Sequence, residues 1–406
     1  FYLGDPAAGG TLLGNTATSR TLAPGEYEDV SVRWADETTG SHTIFVTVDA
    51  ANECEETNND YQQRVDILDI PLVESWNLIS GWVNPFYTDA SVVQRPISGT
   101  YTVIQGFDGG ALVYYPDLPA AVNTLKSIDA EHGYWIKMMN AERGTRNSSF
   151  SVPHSSFGLR LVGAAFPENR ELALDAGWNL VSFLSRNEMG VMEGLRSIDG
   201  EYTAVLGFDQ GALSYYPHLE PHFNTLWALR PLYGYWLKLT QESTLRYPRT
   251  QPDTLDMVQV AGADPDARQR ALLARQAERT TGVQTTNTWV NFYGPARLAD
   301  GKPAPAGALV QVFDADGVPC GAGIVTEPGL YGLLACYGDD PTTPADEGAS
   351  PGDVLTFAID GAPAPASAKA IWTVHGGLQW MPLGPVELWR VWLPVVGIGD
   401  LSRSRD

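Results

Sequence analysis

The order of apolar and polar positions predicts short strands along most of the chain. Residues 1–67 alternate apolar and polar side chains in several short runs, which is the period of a strand with one buried face. Ile44–Asp49 and Tyr61–Ile67 are predicted as strands. Helical spacing is rare. The exception runs from Asp264 to Thr280, where Asp264 as N-cap and Pro265 at the first helical position predict a basic surface helix, with a disordered tether as the alternative. The pattern therefore predicts a mainly β protein.

One module of this pattern occurs twice at a nearly constant spacing. Trp76–Ser80 recurs as Trp178–Ser182, and Gly133–Trp135 recurs as Gly234–Trp236. A self-similar stretch of this kind indicates two copies of one folding unit. The shared positions are large apolar residues, glycines and turn residues, so we predict that the shared aromatics form the core of each copy: Trp76, Tyr134, Trp135, Trp178, Tyr235 and Trp236.

The first 67 residues combine a Pro-Gly turn, a strand ending in Trp, a Gly-x-His strand with Val-Asp, and a loop of Asn and Glu: Pro24, Gly25, Trp34, Gly40, His42, Val48, Asp49, Asn52, Glu56, Asn58 and Asn59. This resembles the bacterial cell-adhesion-related immunoglobulin-like domains of the CARDB type. The resemblance implies a sandwich of about seven strands. Its first two strands have no counterpart here, and Tyr27–Trp34 is expected as the next one. Such a sandwich exposes an edge and part of its core.

Two further resemblances concern the rest of the chain. The repeats are similar to a "GWNL…GYW" module of secreted, multi-domain proteins of the Chloroflexi type, for which no activity is implied. Val312–Gly317 and Gly329–Gly332, with Cys320 and Tyr337–Asp340, resemble Greek-key accessory domains of the carboxypeptidase-regulatory, transthyretin-like type. These resemblances imply a secreted bacterial protein of serial β modules.

We therefore predict a fold of serial β-sandwiches and small β-rich (α+β) modules arranged like beads on a string. The predicted segments are an incomplete immunoglobulin-like sandwich over 1–67, copy one over 68–140, connecting strands with copy two over 141–240, a linker with a short helix over 241–285, a Greek-key sandwich over 286–385, and a tail over 386–406.

The charge balance narrows the choice of partners. The formal net charge is −22, from 48 acidic and 26 basic side chains, so a phosphate backbone or an anionic membrane surface would be repelled. No apolar run is long enough to span a bilayer.

Because the sequence opens with Phe1, we expect either a removed leader or a segment of a longer protein. An extracellular or cell-surface location in a bacterium is expected.

Acidic loops are the candidate metal sites. Oxygen donors crowd two regions in the way that Ca²⁺ prefers, although Asp and Asn also form turns by bonding their own backbone. Calcium is thus a possible cofactor, and no other is expected. The candidate ligands are Asp49, Asn52, Glu55, Glu56, Asn58 and Asp60 in the first domain, and Asp314, Asp316, Asp339 and Asp340 in the last.

Three cysteines bear on stability. Cys320 and Cys336 flank a Gly-rich apolar stretch, and we predict a disulfide that closes this loop and contributes roughly 3 kcal/mol. Cys54 is then left over, as a buried thiol or as a free or intermolecular one.

No motif for catalysis stands out in the sequence. His218 and His222 are separated by Pro221, which argues against a helical pair of metal ligands. We expect no enzyme, although two acids brought together by the fold stay open as a glycosidase pair. Carbohydrate binding is possible through aromatic side chains: Trp82, Tyr114, Tyr115, Tyr215, Tyr216 and Trp227.

The tail and the head of the chain suggest a mechanism of self-association. Val386–Val396 reads as a strand that is apolar on both faces, which favours burial on both sides. We predict a structural or adhesive protein that polymerises head-to-tail when the tail of one subunit adds to the first domain of the next. The alternative is a set of non-catalytic modules of a larger secreted hydrolase, with carbohydrate as the candidate ligand. The predicted polymer interface is Phe1, Tyr2, Leu3, Val386, Leu388, Trp389, Val391, Trp392 and Leu393.

Overall fold

The computed structural model describes residues 1–23, 25–35, 38–49, 59–119, 122–139, 157–249, 265–373 and 375–385. Strand residues (41%) far outnumber helical residues (11%), and they form several small, separate sheets. The predicted β fold class is confirmed. The chain divides into two compact units, of which the first comprises Phe1–Asp209 with Trp227–Asp264 and the second Gln210–Leu226 with Pro265–Asp406.

The strands within residues 1–209 are, in chain order, β1 (Tyr2–Leu3), β2 (Thr11–Leu12), β3 (Gly40–Thr47), β4 (Asp60–Leu72), β5 (Ser75–Ile79), β6 (Val83–Pro85), β7 (Tyr101–Phe107), β8 (Ala111–Tyr114), β9 (Tyr134–Met138), β10 (Phe157–Ala165), β11 (Glu171–Leu174), β12 (Gly177–Ser182) and β13 (Tyr202–Phe208). The later strands are β14 (Ala212–Tyr215), β15 (Gly234–Leu239), β16 (Ser243–Arg246), β17 (Trp289–Pro295), β18 (Leu309–Phe313), β19 (Pro319–Ile324), β20 (Leu330–Tyr337), β21 (Thr356–Ile359), β22 (Ala362–Pro363) and β23 (Leu378–Trp380). The helices are α1 (Ala90–Val93), α2 (Val191–Gly194) and α3 (Pro265–Thr281), with 3-10 turns at Pro6–Ala8, Arg95–Ile97, Arg196–Ile198 and Pro221–Phe223.

A six-stranded sheet opens the first unit, in the order β2-β1-β3-β4-β10-β6. Strand β4 holds it together, because its first half pairs with β3 and its second half with β10. The predicted boundary after residue 67 falls inside this continuous strand. Tyr27–Trp34, expected as a strand, is not one. It runs beside the sheet without strand pairing, so the prediction of a strand there is wrong.

Each repeat folds into an antiparallel sheet, with a short helix in the connection between the first and second strands of that sheet. Copy one has the order β5-β9-β7-β8, and in copy two β12 and β13 both pair with β15. Asp89 caps α1 by accepting a hydrogen bond from the backbone N–H of Ser91, whereas Gly190 begins α2 without a side-chain cap. The core of copy one also takes in Ile70 from β4 and Leu159 from β10.

The second unit contains two sheets that share one core. The three-stranded sheet has the order β20-β17-β23 and the four-stranded sheet β19-β18-β21-β22. Their inward side chains, such as Phe292 and Phe357, belong to one buried cluster. The predicted helix is present as α3, but it is only partly a surface helix, because Ala267, Ala271 and Glu278 are buried.

Candidate functional site

The aromatic positions of the two repeats form matching clusters. Trp76 packs edge-on against Trp135 with ring centres 5.9 Å apart, and Trp178 packs against Trp236 in the same way at 6.0 Å. Lys137 and Lys238 each place the ammonium group 5.5 Å from the ring centre of Trp76 and Trp178, respectively. Of the six predicted core aromatics, four are fully buried and two, Trp178 and Trp236, are partly exposed.

The two copies also contact each other, and the contacts are reciprocal. Ile79 of copy one bridges to Tyr233 of copy two, while Val181 of copy two bridges to His132 of copy one. Phe107 packs on Trp236, and Phe208 packs on Trp135, both with ring centres 5.0 Å apart. In each case a residue of copy one meets a residue of copy two, and the counterparts of these two residues in the opposite copies meet in the same way. Reciprocal contacts of this kind define a local two-fold relation. The repeat pair is therefore arranged like a symmetric dimer within one chain.

Buried serines join the copies at this contact. The Ser80 hydroxyl donates to the carbonyl of Tyr233 at 2.7 Å and accepts from the N–H of Phe183 at 3.0 Å. The Ser182 hydroxyl donates to the carbonyl of Gly81 at 3.1 Å. Because these groups are buried and paired, separating the copies would leave the serine hydroxyls and their backbone partners either without a hydrogen bond or exposed to water. The shared Trp-Asn-Leu-x-Ser sequence thus supplies both the strand and the contact.

Two buried tyrosines fix the turn that precedes the last strand of each copy. The Tyr134 hydroxyl accepts from the N–H of Asp129 at 2.9 Å, and the Tyr235 hydroxyl accepts from the N–H of Arg230 at 2.7 Å. Burial raises the pKa of both phenols, so they stay neutral. Asp129 and Arg230 thus occupy equivalent positions with opposite charges. Sequence reasoning missed them, although the mismatch between the copies was a signal.

The acidic loop of the first domain lies mostly outside the described residues. Asp49 and Asp60 are described and exposed. The other predicted calcium ligands of this loop, Asn52, Glu55, Glu56 and Asn58, and also Cys54, lie outside the described residues. The first calcium hypothesis therefore stays a prediction.

The acids of the last domain act as turn formers. Buried Asp314 accepts hydrogen bonds from the N–H groups of Asp316 and Val318, and buried Asp340 accepts from the N–H and hydroxyl of Thr342. In the described part of the chain, no group of three or more His, Cys, Asp or Glu side chains is placed to hold a metal ion. These contacts are the turn chemistry that the sequence offers as the alternative to calcium.

Asp346 lies within electrostatic reach of this acidic region. Its burial, together with the charges of Asp314, Asp339 and Asp316, raises the pKa of its carboxyl. Like charges that lie close together disfavour ionisation, so Asp346 holds its proton more tightly than a free aspartate does.

Cys320 on β19 and Cys336 on β20 are joined by a disulfide, with Cα atoms 4.8 Å apart. Both residues are fully buried. The bridge therefore links the two sheets of the second unit.

The expected polymer interface at the head of the chain is already paired. Tyr2 and Leu3 bond to β2 on one side and to β3 on the other. A donor strand therefore has no free backbone edge beside Phe1, Tyr2 and Leu3, and this docking position needs correction. Val386, Leu388, Trp389, Val391, Trp392 and Leu393 lie outside the described residues.

The candidate sugar-binding aromatics differ in accessibility. Tyr216 is 3% exposed and Trp227 is 7% exposed, so neither ring offers a free face. Trp380, which sequence reasoning did not single out, is 52% exposed and packs edge-on against Tyr293 with ring centres 5.1 Å apart.

Among the described residues, no helix has the length and apolar character needed to cross a bilayer. No curated protein and no solved structure matches the chain. The resemblances expected for the repeats and for the last domain stay predictions. The family model described as CARDB matches residues 5–64, so the first part of the chain is similar to this immunoglobulin-like family, which is often found in extracellular proteins.

Proposed function

We propose that this protein is an extracellular structural or adhesive protein whose first domain accepts a β-strand from a neighbouring subunit. The observation that carries the proposal is the lack of a core in this domain. None of the described residues from 1 to 65 is buried. A sheet with both faces half-exposed gains free energy when another element covers it.

The segment Tyr27–Trp34 is the best acceptor. It lies beside the sheet, with Trp34 packed edge-on against His42 at 4.9 Å between ring centres and Val32 against Gly14. Within the described residues its backbone makes no hydrogen bond to other backbone groups. Such a row of unpaired N–H and C=O groups is a template for strand addition.

The donor that we propose is the tail strand Val386–Val396 of another copy. Its apolar side chains on both faces suit a strand that is covered on both sides. A contact between unlike parts of identical subunits is head-to-tail, and it grows a fibre if the rotation does not close. The acceptor is Tyr27–Trp34 rather than Tyr2–Leu3, because the latter is paired on both edges.

The test compares the full chain with a chain ending at Pro385, by electron microscopy and by light scattering after size exclusion. We expect the full chain to form polymers and the shortened chain to stay monomeric. Val32→Asp should also stop assembly, because it places a charge in the acceptor. Val122→Asp is the matched control, since Val122 is an exposed valine outside this segment. Polymers without the tail, or a monomeric full chain, would contradict the proposal.

A second candidate function, carbohydrate binding, is favoured by Trp380. An exposed Trp beside an edge-on Tyr293 offers a ring on which a sugar face can stack. Binding on a glycan array that is lost in Trp380→Ala and kept in Trp82→Ala would support the role of a module in a larger secreted hydrolase. No binding by the intact chain would count against it.

A further inference from the structure

Two segments of the chain have the same local structure, residues 109–125 of copy one, described over 109–119 and 122–125, and Gln210–Leu226 of copy two. Each contains Tyr-Tyr-Pro followed seven residues later by Asn-Thr-Leu. In both, the Asn side chain accepts a hydrogen bond from the N–H of the second Tyr at 2.8 Å. The Thr hydroxyl accepts from the N–H two residues before that Tyr, at 2.8 Å in copy one and 2.9 Å in copy two. The surroundings of one segment are therefore a guide to what the other can bind.

Helix α3 covers Gln210–Leu226 within the second unit. Arg270 of the helix donates through Nε to the carbonyl of Asn224 at 2.9 Å. At the start of the segment the helix passes so close to Gly211 that a Cβ there would lie 3.4 Å from the Cγ of Arg275. The helix thus contacts this segment at a glycine and at a backbone carbonyl.

Strand β17 covers the middle of the same segment. Asn291 donates through Nδ2 to the hydroxyls of Ser214 and Tyr216, both at 3.1 Å. Phe223 packs edge-on against Tyr293 with ring centres 5.1 Å apart. These contacts, unlike those of the helix, depend on particular side chains of the segment.

Copy one keeps the residues that a helix would contact and changes those that a strand like β17 would contact. Gly110 and Asn123 are the same residue types as their counterparts beside α3. Val113 and Val122 replace the serine and the phenylalanine that meet β17. A second β17 would find no serine hydroxyl here, whereas a helix would find the same glycine and carbonyl beside a more apolar surface.

This surface of copy one, which we call the copy-one face, is formed by Gly110, Val113, Leu118, Val122 and Asn123. Val122 is 57% exposed and Leu118 is 49% exposed, whereas the phenylalanine that matches Val122 is 6% exposed. Among the described residues, no heavy atom beyond the chain neighbours lies within 4 Å of a Cβ placed on Gly110, and no group donates to the carbonyl of Asn123. Exposed apolar side chains grouped in this way mark interaction sites.

We propose that the copy-one face binds an arginine-bearing α-helix of a partner protein, in the way that α3 lies on Gln210–Leu226. An arginine of that helix would donate to the carbonyl of Asn123, and apolar side chains of the helix would cover Val122 and Leu118. Asp117 is exposed in this segment, where copy two has a histidine, and its charge favours a basic helix. The net charge of −22 favours the approach of such a partner. This inference is independent of strand exchange.

The probe for the first test is a synthetic peptide with the α3 sequence, Pro265–Thr281, titrated into the intact protein by calorimetry. We expect saturable binding of one peptide per chain. Gly110→Leu should weaken binding at least about tenfold, because the new side chain fills the place of the helix. Val122→Asp should weaken it by about as much, because a charge then faces apolar side chains. Val73→Asp is the matched control, since Val73 is an exposed valine of copy one outside the face.

The second test changes the peptide and leaves the protein unaltered, so it decides the question even if a protein variant does not fold. Arg270→Ala in the peptide should weaken binding about tenfold, since a charge-assisted hydrogen bond is lost. Arg268→Ala removes the same charge at an exposed position of α3 and should bind like the unchanged peptide.

Three results would overturn the proposal. The first is no saturable binding, or binding that Gly110→Leu and Val122→Asp leave unchanged. The second is equal weakening by Arg270→Ala and Arg268→Ala, which would show only an attraction between net charges. The third is self-association of the intact protein that Val122→Asp abolishes, which would make a second copy of the chain the occupant.

Discussion

Glu278 is a carboxyl group buried within the second unit. Its Oε1 accepts from the Tyr337 hydroxyl at 2.9 Å, and that hydroxyl accepts from the N–H of Ala212 at 2.8 Å. Burial raises the pKa of Glu278 to about 8, although the Tyr337 hydrogen bond and the charges of Arg275 and Arg279 act in the opposite direction. Glu278 is therefore mostly protonated near neutral pH.

The raised pKa predicts a pH dependence of stability. Between pH 4.5 and about 8 the unfolded chain loses the Glu278 proton while the folded chain keeps it. The free energy of unfolding then falls as pH rises through this window, by about 1.4 kcal/mol per pH unit, and levels off above it. We expect Glu278→Gln to remove this fall and to be the more stable protein at pH 8. Thermal unfolding of the unchanged protein and of Glu278→Gln at both ends of this pH window measures the difference in stability.

The control for this prediction is Glu327→Gln, because Glu327 is exposed. It should keep the pH dependence of the unchanged protein. If Glu278→Gln and Glu327→Gln show the same profile, the carboxyl of Glu278 is not the cause.

The backbone segments at Gly133 and Gly234 cross closely at the contact between the repeats. A Cβ on Gly234 would lie 2.7 Å from the carbonyl oxygen of Ile79 and 3.2 Å from the Cα of Gly133. A Cβ on Gly133 would lie 3.0 Å from the carbonyl oxygen of Val181. These glycines are needed for space and not for a left-handed backbone, since neither has a positive φ.

We predict that Gly234→Ala destabilises the first unit by about 1–3 kcal/mol through overpacking, and that Gly133→Ala has a smaller effect. Gly110→Ala is the matched control, because a Cβ there meets nothing within 4 Å. Denaturant unfolding followed by tryptophan fluorescence measures all three. A fully neutral Gly234→Ala would show that the copies are not held this close.

The sequence predicted elements well where the local pattern was strong. Alternation gave β3 and the first half of β4, and the Asp-Pro start gave helix α3. The strand prediction from alternation failed at Tyr27–Trp34, where the alternation is present but no neighbouring strand pairs with the segment. Local pattern reports which side chains are apolar, while a strand also needs a partner for its backbone.

The disulfide between Cys320 and Cys336 belongs to one of the two compact units. It spans 16 positions of the chain, and closing such a loop contributes about 3 kcal/mol on the chain-entropy model. The first unit contains neither cysteine of this bridge. Loss of the bridge should therefore affect the second unit selectively.

Calorimetry of the intact protein and of the double variant Cys320→Ser, Cys336→Ser tests this. We expect two unfolding transitions in the intact protein, of which only one moves to lower temperature in the variant. A uniform shift of both transitions would mean that the units unfold as one cooperative block.

The candidate sites were only partly predictable from the sequence. Four of the six aromatic residues shared by the copies are buried, and Trp178 and Trp236 are partly exposed. Large apolar side chains at matching positions are mostly packing residues, and this is why the sequence pointed to the core. The reciprocal contact and the charge difference between Asp129 and Arg230 were not expected. They depend on how the copies meet, which no local pattern within either copy encodes.

The two-fold arrangement of the repeats has a consequence for divergence after gene duplication. In a homodimer both halves must carry the same residue at every position, so a substitution changes both faces at once. Fusion of the halves into one polypeptide removes that constraint. One half can then keep an internal Arg230 while the other replaces its counterpart and becomes free to acquire a different role.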